Sequence, residues 1–119
     1  MKTLVIGASS KPERYSNRAL HMLHQHGKET EALGLREAQY AFGKIDAGRP
    51  DYKDIDTVTM YVGPKNQAEY YDYIIGLKPR RVIFNPGTEN PEFFKILDKE
   101  GIQWEAACTL VLLSTGQYD

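Results

Sequence analysis

At 119 residues, with 15 basic and 16 acidic side chains and a net charge of −1, the chain fits one domain of ordinary size and can bury a core without disulfide or metal. The balanced charge lacks the one-sided basic excess of a nucleic-acid binder, so no nucleic-acid partner is expected. Cys108 is the sole cysteine, which excludes a disulfide framework or CxxC site, and the apolar opening Thr3–Ile6 is too short for a signal-peptide core or a membrane span, so no membrane partner and a cytoplasmic location are expected.

Short β-branched runs alternate with stretches of helical spacing, the rhythm of βαβ units in a parallel sheet. Thr3–Ile6 reads as the first strand, closing in the turn-rich Gly7-Ala8-Ser9-Ser10-Lys11-Pro12. Asn17–Gln25 reads as a helix, with Ala19, Leu20 and Leu23 facing inward, Ser16 as N-cap and Gly27 as its stop. Glu31–Leu35 is a weaker second strand, and the mixed spacing from Arg36 to Asp54, broken by Gly43, Gly48 and Pro50, reads as a loop returning over the sheet edge. Thr57–Val62 alternates as a third strand, after which Gly63-Pro64 opens a helix to about Ile75. Arg81–Phe84 is the fourth strand, Pro91–Glu100 a helix stopped by Gly101, Ile102–Ala106 the fifth strand and Thr109–Ser114 a last short helix.

The pattern predicts an α/β fold: a Rossmann-like, doubly wound, parallel five-stranded sheet in a single three-layer domain spanning residues 1–119. Ligands of such sheets sit beyond the carboxyl ends of the strands, where the winding reverses. Three strand ends carry small, polar or turn-forming residues: Gly7-Ala8-Ser9-Ser10, Val62-Gly63-Pro64-Lys65 and Asn85-Pro86-Gly87. Topology directs all three to one crevice.

In the first loop, Gly7 permits a tight turn, while Ala8 and Ser9 keep bulk away from an incoming phosphate. Amides at a helix start favour an anion, Ser9 and Ser10 add hydroxyls, and Lys11, Arg14 and Arg18 add positive charge. A Gly-Ala-Ser turn is equally an ordinary βα connection flanked by solvated bases, and the local signal leaves both readings open. GxxxxGK[ST] is missing, which argues against a P-loop, and so is GxGxxG. Arg36 at the end of strand two suits a phosphorylated ribose, such as the 3′-phosphoribose of coenzyme A, or a solvated surface site.

No catalytic constellation and no metal site are expected. His21, His24 and His26 lie on or beside the first helix without acidic or sulfur partners and read as exposed helix histidines. Cys108 reads as an inert buried thiol, although a place at the start of the last helix favours some reactivity. Asn90 and Pro91 read as N-cap and first helical residue, Glu89 as their neighbour, and Tyr70, Tyr71 and Tyr73 as packing surface.

The run Gly7-Ala8-Ser9-Ser10-Lys11-Pro12-Glu13-Arg14-Tyr15-Ser16 resembles the CoA-binding domain family, small stand-alone proteins similar to the CoA-binding domain of the succinyl-CoA synthetase α subunit. Val62-Gly63-Pro64-Lys65-Asn66-Gln67, Asn85-Pro86-Gly87-Thr88-Glu89-Asn90 and Gly101-Ile102 leading to Cys108 continue the resemblance along nearly the whole chain. It implies that Gly7, Ala8, Ser9 and Ser10 line the CoA diphosphate, with Arg14 and Tyr15 flanking. It further implies Arg36 near the adenosine, Gly63, Pro64 and Lys65 on the adenine or ribose side, and Asn85, Pro86 and Gly87 toward the pantetheine arm. Gly34-Leu35-Arg36-Glu37 departs from the Asn-Pro-Lys-like turn of many relatives. The synthetase's phosphohistidine domain has no counterpart here, so the resemblance implies binding without ligation.

Three readings follow: a non-catalytic binder of coenzyme A or an acyl-CoA as small-molecule ligand; an NADP- or other nucleotide-binding redox or regulatory module, with Arg36 on a 2′-phosphate; and a regulator in which the tyrosine-rich helix and the tail Thr115-Gly116-Gln117-Tyr118-Asp119 make a homodimer interface.

Overall fold

A computed structural model describes residues 1–119. In chain order the elements are β1 (Lys2–Ile6), α1 (Tyr15–Gln25), β2 (Glu29–Leu33), β3 (Ala38–Tyr40), β4 (Gly43–Ile45), β5 (Ile55–Met60), α2 (Tyr71–Leu77), β6 (Arg81–Phe84), α3 (Pro91–Lys99), β7 (Gln103–Ala106) and α4 (Thr109–Ser114). Five strands form one parallel sheet in the order β2-β1-β5-β6-β7. The winding therefore reverses between β1 and β5, as the βαβ rhythm predicts.

Strand alternation divides the core in two. Leu4, Ile6, Val58, Met60, Val82 and Phe84 pack against Ile74 of α2 and Phe93 and Leu97 of α3. Val5 and Ile83 face the other way, onto Leu20 and Leu23 of α1 and Leu113 of α4. The sheet is covered on both faces, which is why its strands read as near-continuous apolar runs.

Several local expectations are corrected. β2 starts and ends two residues earlier than predicted, because the Leu33 carbonyl accepts the amides of Gly7 and Ala8 (2.9 and 3.0 Å) and closes the strand there. Leu35, expected in the strand, is 89% exposed. β5 likewise runs Ile55–Met60 instead of Thr57–Val62. Ser16 is not the N-cap of α1: extended Arg14 holds that place without a side-chain cap bond, and Ser16 is buried in the first turn.

The stretch from Arg36 to Asp54 contains the antiparallel hairpin β3–β4, with Ala38 opposite Ile45 and Tyr40 opposite Gly43. Three-residue strands are too short to show a period, so the hairpin becomes legible only from what it packs on. Ile45 enters the α1-side core, and Phe42 at the tip stacks on His24 (3.7 Å between centroids, 11°) with His21 edge-on at 5.1 Å. These histidines thus carry the hairpin tip.

The helix expected from Gly63 to Ile75 is broken. Two 3₁₀ turns, Pro64–Asn66 and Ala68–Tyr70, precede α2. The cause is Gln67, fully buried between them. Its amide nitrogen donates to the carbonyls of Val62 (2.8 Å) and Thr88 (2.7 Å), and its oxygen accepts from Asn90 (3.0 Å). Asn90 also caps α3 through the Phe93 amide, as expected, with Pro91 next to it.

The C-terminal tail folds onto its own chain. Tyr118 is buried, its hydroxyl shares a 2.6 Å hydrogen bond with Thr3, and its carbonyl accepts from Arg81.

Two glycines give opposite predictions. A Cβ at Gly34 would lie 2.6 Å from the Ala8 carbonyl oxygen and 2.9 Å from the Ile45 side chain, whereas one at Gly76 in α2 would meet nothing within 4 Å. Gly34→Ala is expected to cost about 2–3 kcal/mol by overpacking, lowering the melting midpoint by roughly 5–15 °C. Gly76→Ala is expected to raise stability by about 0.5–1 kcal/mol. Circular-dichroism melts check both signs; a neutral Gly34→Ala would show that the contact yields freely.

Candidate functional site

At the reversal point the carboxyl ends of β1, β2 and β5 enclose a cleft of about 820 Å³. One wall is the first loop, Gly7 through Lys11 with Arg14 behind it. A second comprises Leu35 and Arg36 after β2 with Ala38 and Ile45 of the hairpin; a third comprises Tyr61, Val62 and Gly63, followed by Asn66, Glu69 and Tyr70. This is the place at which open α/β sheets hold ligands.

Glycine is required at Gly7. Its φ is +91°, and a Cβ there would lie 2.9 Å from the carbonyl carbon of Tyr61. Gly34 plays the same part from β2, where it lets the strand end pass directly under Ala8. The first loop is braced from α1, since the Asn17 amide donates to the Ser9 carbonyl at 2.9 Å and the Lys11 amide donates to Ser9 Oγ at 3.1 Å.

The amides of Gly7 and Ala8 are both spent on the Leu33 carbonyl. These two residues therefore offer an anion space, not donors. The donors on this wall are the Ser9 and Ser10 hydroxyls, the amides of the same two residues, which bond to no acceptor in the chain, and the cationic side chains. Lys11, Arg14 and Arg36 all border the cleft, and none of them pairs with an acidic side chain. The one carboxylate on the lining, Glu69, stands 4.0 Å from the Arg49 guanidinium, which lies over the Tyr70 ring at 4.2 Å. Three free cations against one partly neutralised acid make the cleft electropositive.

Of the residues singled out in the sequence for a ligand, the cleft brings together Gly7, Ala8, Ser9, Ser10, Lys11, Arg14, Arg36, Val62 and Gly63. Tyr15 stands outside, 65% exposed under the Arg18 guanidinium at 5.1 Å. Pro64 and Lys65 are exposed on the first 3₁₀ turn, also off the lining. Pro86 and Gly87 are exposed beyond β6. Asn85 is buried and fully engaged: its nitrogen donates to Thr59 Oγ1 (2.7 Å) and the Met60 carbonyl (2.9 Å), while its oxygen accepts the Thr109 amide (2.8 Å). Its side chain binds β6 to β5 and α4.

Sequence reasoning missed Ala38, Ile45, Tyr61 and Glu69. The first two come from the unrecognised hairpin. Tyr61 carried a usable signal, lying one residue before the end of the expected third strand. Its phenol is held above the usual tyrosine range, chiefly by burial and then by the nearby Cys108. Cys108, expected to be buried, is half-buried at the start of α4. No three histidine, cysteine, aspartate or glutamate side chains lie close enough together to hold a metal ion, and no helix is long and apolar enough to cross a membrane.

Comparison with known proteins agrees with this fold. The chain is similar over 98% of its length to a crystal structure of an uncharacterized protein, at 45% identity and a TM-score of 0.94, covering 96% of that chain. A hypothetical protein from Pyrococcus horikoshii OT3 is 26% identical with a TM-score of 0.85, covering 98% of this chain and 83% of that one. A structure from Thermus thermophilus shares the fold, with 21% identity and a TM-score of 0.82 over 98% of this chain and 89% of that chain. No curated protein matches. Residues 1–114 match the model of a CoA binding domain, and with nearly the whole chain inside that match, this protein belongs to the CoA binding domain family.

Proposed function

We propose that the protein binds coenzyme A or an acyl-CoA, without transforming it, in the cleft at the carboxyl ends of β1, β2 and β5. The observation that carries this reading is the set of three unpaired cations, Lys11, Arg14 and Arg36, around a cleft floored by small residues. Coenzyme A presents a diphosphate and a ribose 3′-phosphate on one adenosine, so it requires cationic groups from more than one strand end. Lys11 and Arg14 come from the β1 loop and Arg36 from the β2 end.

In this reading Gly7 and Ala8 leave room for the diphosphate, Ser9 and Ser10 donate hydroxyl hydrogen bonds to it, and Arg14 neutralises it. Arg36 takes the 3′-phosphate. Leu35, Ala38, Ile45 and Gly63 offer the adenine an apolar slot. Tyr15, Pro64 and Lys65 flank the mouth, and the pantetheine arm leaves past Pro86 and Gly87, with Asn85 holding that loop from beneath. The absence of an acid–base pair on the lining supports binding without catalysis: its only carboxylate faces Arg49. The partner is thus a small molecule.

Calorimetric titration tests the reading. Coenzyme A is expected to bind saturably, with affinity falling as salt rises, because the cations are exposed. Dephospho-CoA should bind about tenfold more weakly. Arg36→Ala should weaken coenzyme A by a similar factor and abolish the difference between the two ligands. Arg14→Ala should weaken both ligands alike, by about tenfold. Heat from NADP with none from coenzyme A would replace this reading with that of a dinucleotide module.

A further inference from the structure

Asn17 lies in the first turn of α1 and is 3% exposed, on a helix whose buried side chains include Ala19, Leu20 and Leu23. A buried amide is costly unless it is paired. Its nitrogen donates to the Ser9 carbonyl at 2.9 Å, so the bond goes to the loop that walls the cleft and not to its own helix. A carbonyl can only accept, which fixes the amide nitrogen as the end that faces it.

That bond sets the sense of a peptide unit. The chain has no cis peptide bond, so the carbonyl and N–H of each unit point in opposite directions. With the Ser9 carbonyl drawn toward α1, the Ser10 N–H points away from α1, and Ser10 borders the cleft. The preceding unit is fixed in the same way. The Ala8 carbonyl oxygen lies over Gly34, 2.6 Å from where a Cβ would stand, so the Ser9 N–H points away from the end of β2. Neither amide meets an acceptor in the chain. The Ser9 hydroxyl oxygen accepts the Lys11 amide at 3.1 Å, which leaves its hydrogen to donate. The loop is thus sorted by polarity, with acceptors turned into the protein and donors left over, as an anion requires.

We propose that Asn17 is a positioning residue for the ligand diphosphate. By holding the Ser9 carbonyl against α1 it keeps the Ser10 amide turned outward as a donor. Without that hold the Ser9–Ser10 peptide is free to turn over and present a carbonyl oxygen, which repels phosphate. The inference rests on the coenzyme A reading above and deepens it: Asn17 touches no ligand and acts through the backbone of the first loop.

Calorimetry and amide NMR on the intact protein test it. In wild type, coenzyme A is expected to move the Ser10 amide proton resonance downfield, the signature of an amide donating to an anion. Dephospho-CoA, which keeps the diphosphate, should move it the same way. Asn17→Leu keeps the branching of the side chain and removes the donor. It should bind coenzyme A and dephospho-CoA more weakly by the same factor, about tenfold, because the lost contact is at the diphosphate and not at the 3′-phosphate. The Ser10 resonance of that variant should no longer move downfield. Asn17→Asp, isosteric but an acceptor, should be weaker still at neutral pH, its carboxylate repelling both the Ser9 carbonyl and the ligand. Thr3→Val is the control for a loss of stability alone. It breaks the buried bond to Tyr118 at the far end of β1, so it should lower the melting midpoint by about 3–6 °C and leave affinity within about twofold of wild type.

Asn17→Leu protein that loses no more affinity than Thr3→Val overturns the inference and leaves the coenzyme A reading standing. So does a wild-type Ser10 resonance that stays in place when coenzyme A binds. Unequal weakening of the two ligands moves the effect to the 3′-phosphate and also overturns it. Should Asn17→Leu fail to fold, Asn17→Asp carries the same comparison. Wild-type protein that takes up no coenzyme A removes the reading itself.

Discussion

The closure at the end of β1 is the contact on which the cleft depends. One carbonyl, that of Leu33, accepts both the Gly7 and Ala8 amides. The chain leaving β1 is thereby bonded to the end of β2 before it turns toward α1. Gly34 follows directly, with no room for a Cβ beneath Ala8, and its amide donates to the Asp46 carbonyl at 2.8 Å to draw the hairpin alongside. Three segments distant in the sequence are held together by backbone groups, which leaves the Ser10, Lys11 and Arg14 side chains free while Ser9 Oγ accepts the Lys11 amide.

The other half of the crevice is organised differently. There the loops are tied by buried side-chain amides: Asn85 joins β6 to β5 and α4, and Gln67 joins the residues after β5 to Thr88 and Asn90 before α3. Each amide satisfies carbonyls that a loop would otherwise leave unpaired, and together they make this side a stiff platform. The cleft is thus an open, cationic wall facing residues after β5 that buried side-chain amides brace from behind.

Much of this was legible in the chain, and the exceptions share a cause. Strands and helices with sustained spacing, such as β6 or α3 with its Asn90-Pro91 start, follow from local preferences. Arg14 and Arg36 were recognisable as anion candidates because positive charge beside a strand end in an α/β sheet has few structural duties. Asn85 carries no such signal, because an asparagine in an Asn-Pro-Gly turn looks the same whether it faces a ligand or ties a buried network together. The hairpin strands, three residues each, were too short for any periodicity. Gln67 broke an expected helix because its side chain found better partners at Val62 and Thr88 than a continued helical turn would leave it.

The sequence by itself determined the doubly wound sheet, the meeting of two of its three small-residue loops, those after β1 and β5, in one crevice, and the charge around that meeting. Those properties rest on periods of two and 3.6 residues and on turn chemistry, which neighbouring residues set among themselves. Only the tertiary structure decided which polar groups remained free. The Gly7 and Ala8 amides went to a carbonyl on β2, Asn85 to hydroxyls and backbone on β5 and α4, and the hairpin to the rings of α1. Hydrogen bonds and ring stacks of this kind form between residues far apart in the chain, and whether a group is spent or available is known only when its distant partner is in place.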